Sequence, residues 1–254
     1  MTTNSPRQTK QARHAKQAVV LAAGLGTRMR PLTLTRPKPL VEVAGITLLD
    51  HALDTLAAHG ISHCAVNVHY LADQIETHLS KRGDMAFHIS DERQALLDSG
   101  GGVAKAHGLL PEQNAPFFLL NADSFWRDRV TPSLATMDRA FDNTVDMLML
   151  VARHGDAVGF DGKGDFFMDD SHRLTRRGNA DHAPYVYAGA LLIRPELFRN
   201  RPKVFSLNTL FDEAITKGRL AGVVLDGLWL HVGTPQAIGE AEIALAAFEQ
   251  KRSA

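Results

Sequence analysis

The sequence predicts an α/β fold in which a mixed, mostly parallel sheet carries helices on both faces, and three observations lead to this prediction. Strand-length apolar runs alternate with helical patterns through the first half of the chain. The first run ends in a glycine-rich loop that starts at Ala23, and a later run, residues 117–120, stops just before Asp123. Because ligands bind beyond the carboxyl ends of strands in such Rossmann-like sheets, loop and carboxylate are expected at one edge.

Each element of the first half has its own signal in the residue pattern. Apolar runs of strand length lie at residues 18–22, 61–67, 85–90 and 117–120. Apolar residues at helical spacing lie between them, over residues 48–57 and 71–79. Gly60 is placed to end the first of these helices, because glycine readily adopts the left-handed conformation that closes a helix. Three consecutive glycines, residues 100–102, predict a turn that is followed by a short helix to Leu110.

The second half of the chain is less regular. Strands are expected at residues 145–151, 185–193, 220–225 and 228–232, with a polar segment, residues 155–181, between the first two. A final helix is expected to open at Thr234-Pro235, because threonine caps helices and proline suits the first helical position. No repeat or linker divides the chain, so residues 18–250 are predicted to form a single domain. Residues 1–17, basic and without an acid, are predicted to be a disordered tail, with an organellar transit peptide as the alternative.

Overall composition argues against several classes of protein. The 254 residues include 28 basic and 28 acidic side chains, so no net charge favours nucleic acid or a membrane surface as a partner. The longest apolar runs fall far short of the ~20 residues that a membrane-spanning helix needs. A single cysteine, Cys64, cannot form an internal disulfide and fits a reducing compartment. We therefore expect a cytoplasmic protein whose partners are small molecules.

The strongest chemical signal is the string Leu21-Ala-Ala-Gly-Leu-Gly-Thr-Arg-Met-Arg-Pro-Leu-Thr33, followed by Pro37-Lys-Pro-Leu40. Gly24 and Gly26 can adopt positive φ, and successive backbone amides in such a turn form an anion-binding nest. Arg28 adds a fork of donors for phosphate oxygens, and Lys38, between two prolines, adds a compact charge. The third glycine of a dinucleotide fingerprint and the Gly-Lys-Ser/Thr of a Walker loop are both missing. The string therefore predicts a phosphate-binding loop of another kind.

Taken together, these residues resemble the sugar-1-phosphate nucleotidyltransferase family, whose signature is Ala-Ala-Gly-x-Gly-Thr-Arg-x-x-Pro-x-Thr followed by Pro-Lys-Pro. The resemblance implies a nucleotide-diphospho-sugar transferase fold, which is GT-A-like, and a nucleoside triphosphate (NTP) and a sugar 1-phosphate as substrates. It implies that Arg28 and Lys38 are catalytic. The nucleotide-binding residues that it implies are Ala22, Ala23, Gly24, Gly26, Thr27, Gly100, Gly101 and Gly102.

Within the family, two further strings resemble the branch that uses UTP and N-acetylmuramate 1-phosphate in cell-wall sugar recycling. These strings are Asp98-Ser-Gly-Gly-Gly102 and Gly162-Lys-Gly-Asp-Phe166. The resemblance implies that Asn67 and Asp165 bind the sugar hydroxyls or the N-acetyl group. It also implies that Gly189 packs beneath the sugar.

The resemblance implies a divalent metal ion as well, Mg²⁺, bound through Asp123. The family closes this site with an aspartate in Trp-x-Asp-x-Gly-Thr, whereas here the string is Trp229-Leu-His-Val-Gly-Thr234 and His231 takes that place. Three explanations stay open: His231 contacts the metal, Asp226 replaces the aspartate, or Asp123 and the nucleotide phosphates hold the ion alone. Because imidazole is a poor ligand for Mg²⁺, we expect weaker metal binding or a shift toward Mn²⁺.

Several other functions stay open at this point. The substrates could be mannose or heptose 1-phosphate with a guanine nucleotide, or glucose 1-phosphate with a uridine or thymidine nucleotide. A nucleotide-sugar-binding regulator without turnover is suggested by His231. A nicotinamide-dependent oxidoreductase is disfavoured by the broken glycine fingerprint. The chain carries no C-terminal hexapeptide repeats of the kind that trimerise some relatives, so a monomer or a simple homodimer is expected.

Overall fold

The computed structural model of the protein describes residues 15–253, which form 14 strands and six α-helices. The strands are β1 (Gln17–Leu21), β2 (Glu42–Val43), β3 (Ile46–Thr47), β4 (His63–Val68), β5 (Ala86–Asp91), β6 (Phe117–Asn121), β7 (Ser124–Asp128), β8 (Met147–Arg153), β9 (Ala157–Val158), β10 (Phe166–Met168), β11 (Leu174–Arg176), β12 (Tyr185–Ile193), β13 (Leu220–Val224) and β14 (Gly227–His231). The helices are α1 (Leu48–Ala58), α2 (Ala72–Leu79), α3 (Asp98–His107), α4 (Ser133–Ala140), α5 (Leu207–Thr216) and α6 (Pro235–Ser253).

A nine-stranded mixed sheet forms the centre of the fold. Strands β6, β1, β4 and β5 lie side by side and parallel, in that order. Strand β12 pairs antiparallel with β6, and the remaining strands of the sheet continue beyond it. Helices α1, α2 and α4 cover one face, where Leu53, Ile75 and Met137 are buried. Helices α3 and α5 cover the other, where Val103 and Leu210 are buried. The predicted fold class is confirmed.

The elements of the first half form where the residue pattern predicts them, with one exception. Helix α1 begins after Thr47, whose side chain accepts a hydrogen bond from the Asp50 amide at 3.0 Å, and it ends before Gly60, at φ 84°. The exception is the run of three glycines. These residues are not a turn, because α3 begins at Asp98 and the glycines form part of its first turns. The prediction failed because glycine opposes a helix locally, whereas tight packing against other elements favours it here.

The second half contains elements that the pattern did not predict, namely β7, β9, β10, β11, α4 and α5. Strand β7 pairs antiparallel with β14 in a separate three-stranded sheet that includes β9. Strands β10 and β11 form a hairpin inside the predicted polar segment. Strands β7 and β9 are stabilised by β14, far along the chain, and β10 and β11 have only three residues each, so the local pattern of all four is weak. The β7–β14 pairing places His231 opposite Ser124, the residue that follows Asp123.

The start of the described chain differs from the predicted tail boundary. Residues 1–14 of that tail lie outside the described residues. Ala15, however, is buried and its amide donates to Asp138 Oδ1 at 3.4 Å, and Gln17 opens β1. The ordered chain therefore begins before residue 18. None of the helices in residues 15–253 has both the length and the apolar composition that a bilayer span requires.

Candidate active site

The carboxyl ends of three parallel strands meet at one edge of the main sheet. Leu21 of β1 lies in register with Asn67 of β4 and with Asn121 of β6. The glycine-rich loop leaves β1 at Ala22, and Asp123 follows β6. Loop and carboxylate therefore lie at the same edge, as the alternation of strands and helices predicted.

The loop presents backbone donors that the rest of the described protein does not use. Among residues 15–253, the amides of Gly24, Leu25 and Gly26 have no hydrogen-bond acceptor. Gly26 has φ 62°, and its carbonyl accepts a hydrogen bond from Thr33 Oγ1 at 2.7 Å. Gly24 does not have a positive φ, contrary to the prediction, but a Cβ on Gly24 would meet no atom within 4 Å. The loop is thus held by its far end and leaves its amides free for an anion.

Lys38 packs directly against this loop. A Cβ on Gly26 would lie 3.0 Å from both Lys38 Cβ and Thr33 Cγ2, so the absence of a side chain lets the two segments approach. Lys38 opens a short 3₁₀ turn after Pro37, and Pro39 is its second residue. Only 8% of Lys38 is exposed. The prolines and the glycine together fix the lysine in one position at the edge of the sheet.

Lys38 and Asp123 form an ion pair between loop and strand end. The distance from Lys38 Nζ to Asp123 Oδ2 is 3.0 Å. Burial acts to raise the pKa of Asp123, but the nearby Lys38 and Arg28 cations and the hydrogen bond from Lys38 outweigh burial, and the pKa lies below its usual value. Asp123 is therefore an anion at neutral pH, in direct contact with the Lys38 cation.

His231 lies on the other side of Asp123. The amide of Val232 donates to Asp123 O at 3.1 Å, and the imidazole lies beside the rings of Trp229 and Phe160. Burial lowers the pKa of His231; Asp123 acts to raise it, and the nearby Lys38 and Arg28 lower it further. The imidazole is therefore neutral at neutral pH, which leaves one ring nitrogen as an acceptor or a metal ligand.

Arg28 is exposed and completes this group of side chains. A Cβ on Gly233 would lie 2.8 Å from His231 Nε2 and 3.3 Å from Arg28 Nη1, so both side chains converge over this glycine. A cavity of about 490 Å³ is lined by Arg28, His231, residues 159–162 and the start of α6. The structure thus brings together the loop, Arg28, Lys38, Asp123 and His231.

A second cavity includes Asp123 in its lining. Its volume is about 300 Å³, and its lining residues are Leu21, Ala23, Gly24, Asn67, Glu92, Leu96, Asp98, Ser99 and Asp123. We call it the nucleoside cleft, because apolar and polar groups line it next to the phosphate-binding loop. Sequence reasoning missed Glu92, Leu96, Asp98 and Ser99. They follow β5 as the loop follows β1, so their position after a parallel strand was the available signal.

The three glycines do not offer their amides to this cleft. The amides of Gly100 and Gly101 both donate to Phe205 O, at 2.9 and 3.2 Å. A Cβ on Gly100 would overlap the Phe205 ring, and one on Gly101 would overlap Lys203 O. These two glycines allow close packing of α3 against residues 203–205, and their amides are not free for the nucleotide contact that the resemblance implies.

The residues expected to bind sugar separate into two groups. Asn67 lies on the nucleoside side, where its side chain bonds Ala22 and Glu92. Asp165 Oδ2 accepts a hydrogen bond from the Tyr187 amide at 3.0 Å, beside strand β12. Gly189, at φ 85°, lies where a Cβ would overlap Ser124 Oγ. The structure therefore brings Gly189 close to the Asp123 strand end and places Asn67 in the cleft that Asp123 also lines, with its side chain already hydrogen-bonded.

The metal ligands expected from the sequence do not form one cluster. Asp226 is exposed and pairs with Arg129 at 3.4 Å, at the opposite end of β14 from His231, so it cannot replace the missing aspartate. No group of three or more His, Cys, Asp or Glu side chains within residues 15–253 is arranged to hold a metal ion. Mg²⁺ commonly binds one or two carboxylates and completes its shell with phosphates and water. Asp123 fits that pattern for an ion that arrives with a nucleotide.

Comparison with known proteins agrees with this geometry. The family model for nucleotidyl transferases matches residues 17–160. An N-acetylmuramate alpha-1-phosphate uridylyltransferase from Caulobacter vibrioides is 42% identical over 91% of this chain and 97% of its own length. A relative of the same name from Neisseria meningitidis serogroup B is 31% identical over 92% of this chain and 100% of its own.

Solved structures show the same fold. HddC from Yersinia pseudotuberculosis complexed with GMP-PN superposes with a TM-score of 0.73 at 19% identity, covering 91% of this chain and 99% of that one. At this identity the likeness concerns the fold alone. Because the family model spans more than half of the chain and the Caulobacter relative matches nearly all of it, the chain belongs to the nucleotidyl transferase family.

Proposed function

We propose that the protein transfers a uridylyl group from UTP to N-acetylmuramate 1-phosphate, releasing pyrophosphate, in cell-wall sugar recycling. The observation that carries the proposal is the convergence of a loop with free amides, buried Lys38 and Asp123 at the mouth of the nucleoside cleft. The choice of substrates rests on the two uridylyltransferase relatives and on the Asp98-Ser-Gly-Gly-Gly102 string. We propose a cytoplasmic reaction, carried out by a monomer or a simple homodimer.

In this reaction an oxygen of the sugar 1-phosphate attacks the α-phosphorus of UTP, in line with the bond to the β-phosphate. The new P–O bond forms as the bond from the α-phosphorus to the bridging oxygen breaks, and the electron pair leaves with pyrophosphate. The attacking phosphate is already an anion at neutral pH, so no general base is required. Catalysis then consists of aligning like-charged groups and stabilising charge at the phosphorus.

Each cationic group has a place in this scheme. Lys38, buried and fixed by its neighbours, stabilises charge at the α-phosphate, where it exchanges its ion pair with Asp123 for the phosphate oxygens. The free amides of the loop and the exposed Arg28 bind the leaving phosphates. Asp165 and Gly189 lie along β12 and shape the sugar end of the site.

Asp123, with His231 beside it, would hold the metal ion, which when bound supplies Lewis-acid stabilisation of the phosphate oxygens. One carboxylate and one imidazole are a weaker ligand set for Mg²⁺ than two carboxylates, so we propose low Mg²⁺ affinity or a preference for Mn²⁺. In rate measurements over MgCl₂ and MnCl₂ series, His231→Ala is expected to change the metal requirement. A variant with the metal dependence of the wild type would contradict a role for His231 at the ion.

A nucleotide-by-sugar panel tests the function. UTP, GTP and dTTP are each combined with N-acetylmuramate, mannose and glucose 1-phosphates, and pyrophosphate release is measured. The proposal expects the highest kcat/KM for UTP with N-acetylmuramate 1-phosphate. A higher value for GTP with mannose 1-phosphate would replace it with a guanylyltransferase. Nucleotide binding without pyrophosphate release from any pair would identify a regulator instead.

A further inference from the structure

A buried hydrogen-bond bridge crosses the floor of the nucleoside cleft. The Ala22 amide donates to Asn67 Oδ1 at 2.7 Å, and Asn67 Nδ2 donates to Glu92 Oε1 at 2.8 Å. The Leu97 amide donates to the other carboxylate oxygen, Glu92 Oε2, at 3.1 Å. These four residues, which we call the Asn67–Glu92 bridge, connect the first residue of the phosphate-binding loop to the residue before α3.

The bridge places a carboxylate group, that of Glu92, in the protein interior. Asn67 is 4% exposed and Glu92 is 2% exposed, and Glu92 makes no ion pair with any residue that the structure describes. A buried carboxylate is unfavourable unless hydrogen bonds satisfy it. The chain also leaves room for the bridge, because a Cβ on Gly102 would lie 2.9 Å from both Asn67 Nδ2 and Glu92 Oε1.

The two ends of the bridge are the two sides of the cleft. Ala22 starts the loop in which the amides of Gly24, Leu25 and Gly26 have no acceptor among residues 15–253. Leu97 precedes Asp98, a non-glycine residue at φ 60° that lines the cleft together with Ser99. A left-handed aspartate persists only where its surroundings hold it, and such strain concentrates at binding sites. The bridge therefore determines the gap between the loop and the start of α3.

We propose that Asn67 and Glu92 are positioning residues for the nucleotide. They hold the loop and the α3 side of the cleft at the separation at which the base is bound and the α-phosphate lies beside Lys38. Neither residue needs to touch the reacting atoms. The inference goes beyond the proposed function and rests on it only for the identity of the nucleotide.

The bridge can be tested by exchanging the amide and the carboxylate between positions 67 and 92. Both oxygens of Glu92 accept, so Glu92→Gln replaces one acceptor by a donor and breaks one of the two contacts. Asn67→Asp alone brings two carboxylates together at the position of a 2.8 Å hydrogen bond. In the double variant the new aspartate accepts from the Ala22 amide and from the new glutamine, whose oxygen accepts from the Leu97 amide. Every hydrogen bond is restored, and only the bond between residues 67 and 92 has its donor and acceptor reversed.

The experiment measures kcat and both KM values for wild type, the two single variants and the double variant, together with calorimetric UTP binding in the absence of sugar. Each single change is expected to weaken UTP binding and raise its KM by about tenfold or more, because a buried contact is lost. The KM for the sugar phosphate should stay within about twofold, and the double variant should recover most of the UTP affinity.

Gln17→Glu provides a matched control at the other end of β1. Gln17 is equally buried and its Nε2 donates to Glu112 O at 2.6 Å, so the change disrupts a buried amide far from the cleft. It should lower stability without changing the KM for UTP. Gly102→Ala crowds the bridge without altering its charges and should also raise the KM for UTP. This variant tests the positioning role if Asn67→Asp or Glu92→Gln does not fold.

The outcomes separate the bridge from the proposed function. Equal increases in both KM values, or a double variant no better than the worse single one, would overturn the positioning role. If the wild type binds UTP but releases no pyrophosphate, the proposed function fails. The calorimetric comparison of the variants still tests whether Asn67 and Glu92 position the nucleotide. If another nucleotide is the substrate, the same series is run with that nucleotide.

Discussion

Two glycine-rich segments approach the nucleoside cleft, and they use glycine for opposite reasons. In residues 24–26 the amides are free and the space beside Gly24 is open, so its missing side chain leaves room for a ligand, whereas Gly26 allows close packing of Lys38. In residues 100–102 the space beyond each Cα is already occupied, by Phe205, by Lys203 or by the Asn67–Glu92 bridge. The second segment serves packing, and we propose that the first serves nucleotide binding. Glycine content alone therefore does not identify a ligand-binding backbone; the fate of the amides does.

The largest expected effect concerns the cation that packs on the first segment. Lys38→Ala should lower kcat by about two orders of magnitude, a barrier increase of about 3 kcal/mol, because a preorganised charge at the α-phosphate is lost. Steady-state pyrophosphate release measures it. Lys105→Ala is the control, since Lys105 is an exposed cation on α3, beside the second segment. Near-normal turnover of Lys38→Ala would show that the cation packed on residues 24–26 contributes no more to catalysis than Lys105, beside residues 100–102.

The second expected effect is on stability. Gly100→Ala should lower the free energy of unfolding by about 2 kcal/mol, because the new methyl group overlaps the Phe205 ring. Denaturant titration measures the loss, and adding Phe205→Leu should recover part of it by removing the ring. Gly239→Ala in α6 is the matched control, since a Cβ there meets nothing within 4 Å. Equal free energies of unfolding for Gly100→Ala and Gly239→Ala would show that packing against Phe205 does not require a glycine at position 100.

The first segment offers a smaller internal comparison. Gly26→Ala should cost about 1–2 kcal/mol of stability, because alanine is strained at φ 62° and its Cβ crowds Lys38. Gly24→Ala should leave the unfolding free energy within about 0.5 kcal/mol of wild type but raise the KM for nucleotide, because its methyl group enters ligand space. Thermal or denaturant unfolding and nucleotide kinetics separate the two. A destabilised Gly24 variant with a normal KM would reverse this assignment.

The smallest expected effect is a dependence of stability on pH, and it arises from His51. His51 stacks on Phe125 at 3.8 Å, and its Nδ1 accepts from Arg127 while Nε2 donates to Val43 O. Burial, with the neighbouring Arg127, lowers the pKa of His51 from 6.5 to about 4. The neutral form is thus favoured in the folded state, and its contribution is complete above pH 6.5.

As the pH falls from 6.5 to about 4, the unfolded chain takes up a proton at His51 that the folded protein resists. Stability should therefore decrease across this window, by on the order of 1 kcal/mol, because His51 also borders an open cavity that admits water. Denaturant titrations at several pH values measure the slope. His51→Gln should flatten it; an unchanged slope in that variant would assign the loss to other groups.

The first half of the fold and the core of the site were predictable from local pattern. Buried parallel strands have continuous apolar runs, and their carboxyl ends share an edge, so the residue pattern was enough to place Gly26, Lys38 and Asp123 together. The role of Asn67 was not predictable in this way, because it depends on Glu92 from a neighbouring strand end. The exclusion of Asp226 likewise required the β7–β14 register, which no local pattern contains.

By itself, the sequence predicted the α/β class and the glycine-rich loop, and its resemblance to the family showed that His231 replaces an expected aspartate. These depend on residue type, periodicity and short spacing, which act over a few neighbouring residues. Only the tertiary structure decided which glycine amides are free, what Asn67 holds and which acids lie near Asp123. Those outcomes depend on atoms from distant parts of the chain that approach within 3–4 Å, and such approaches are made by packing rather than by local preference.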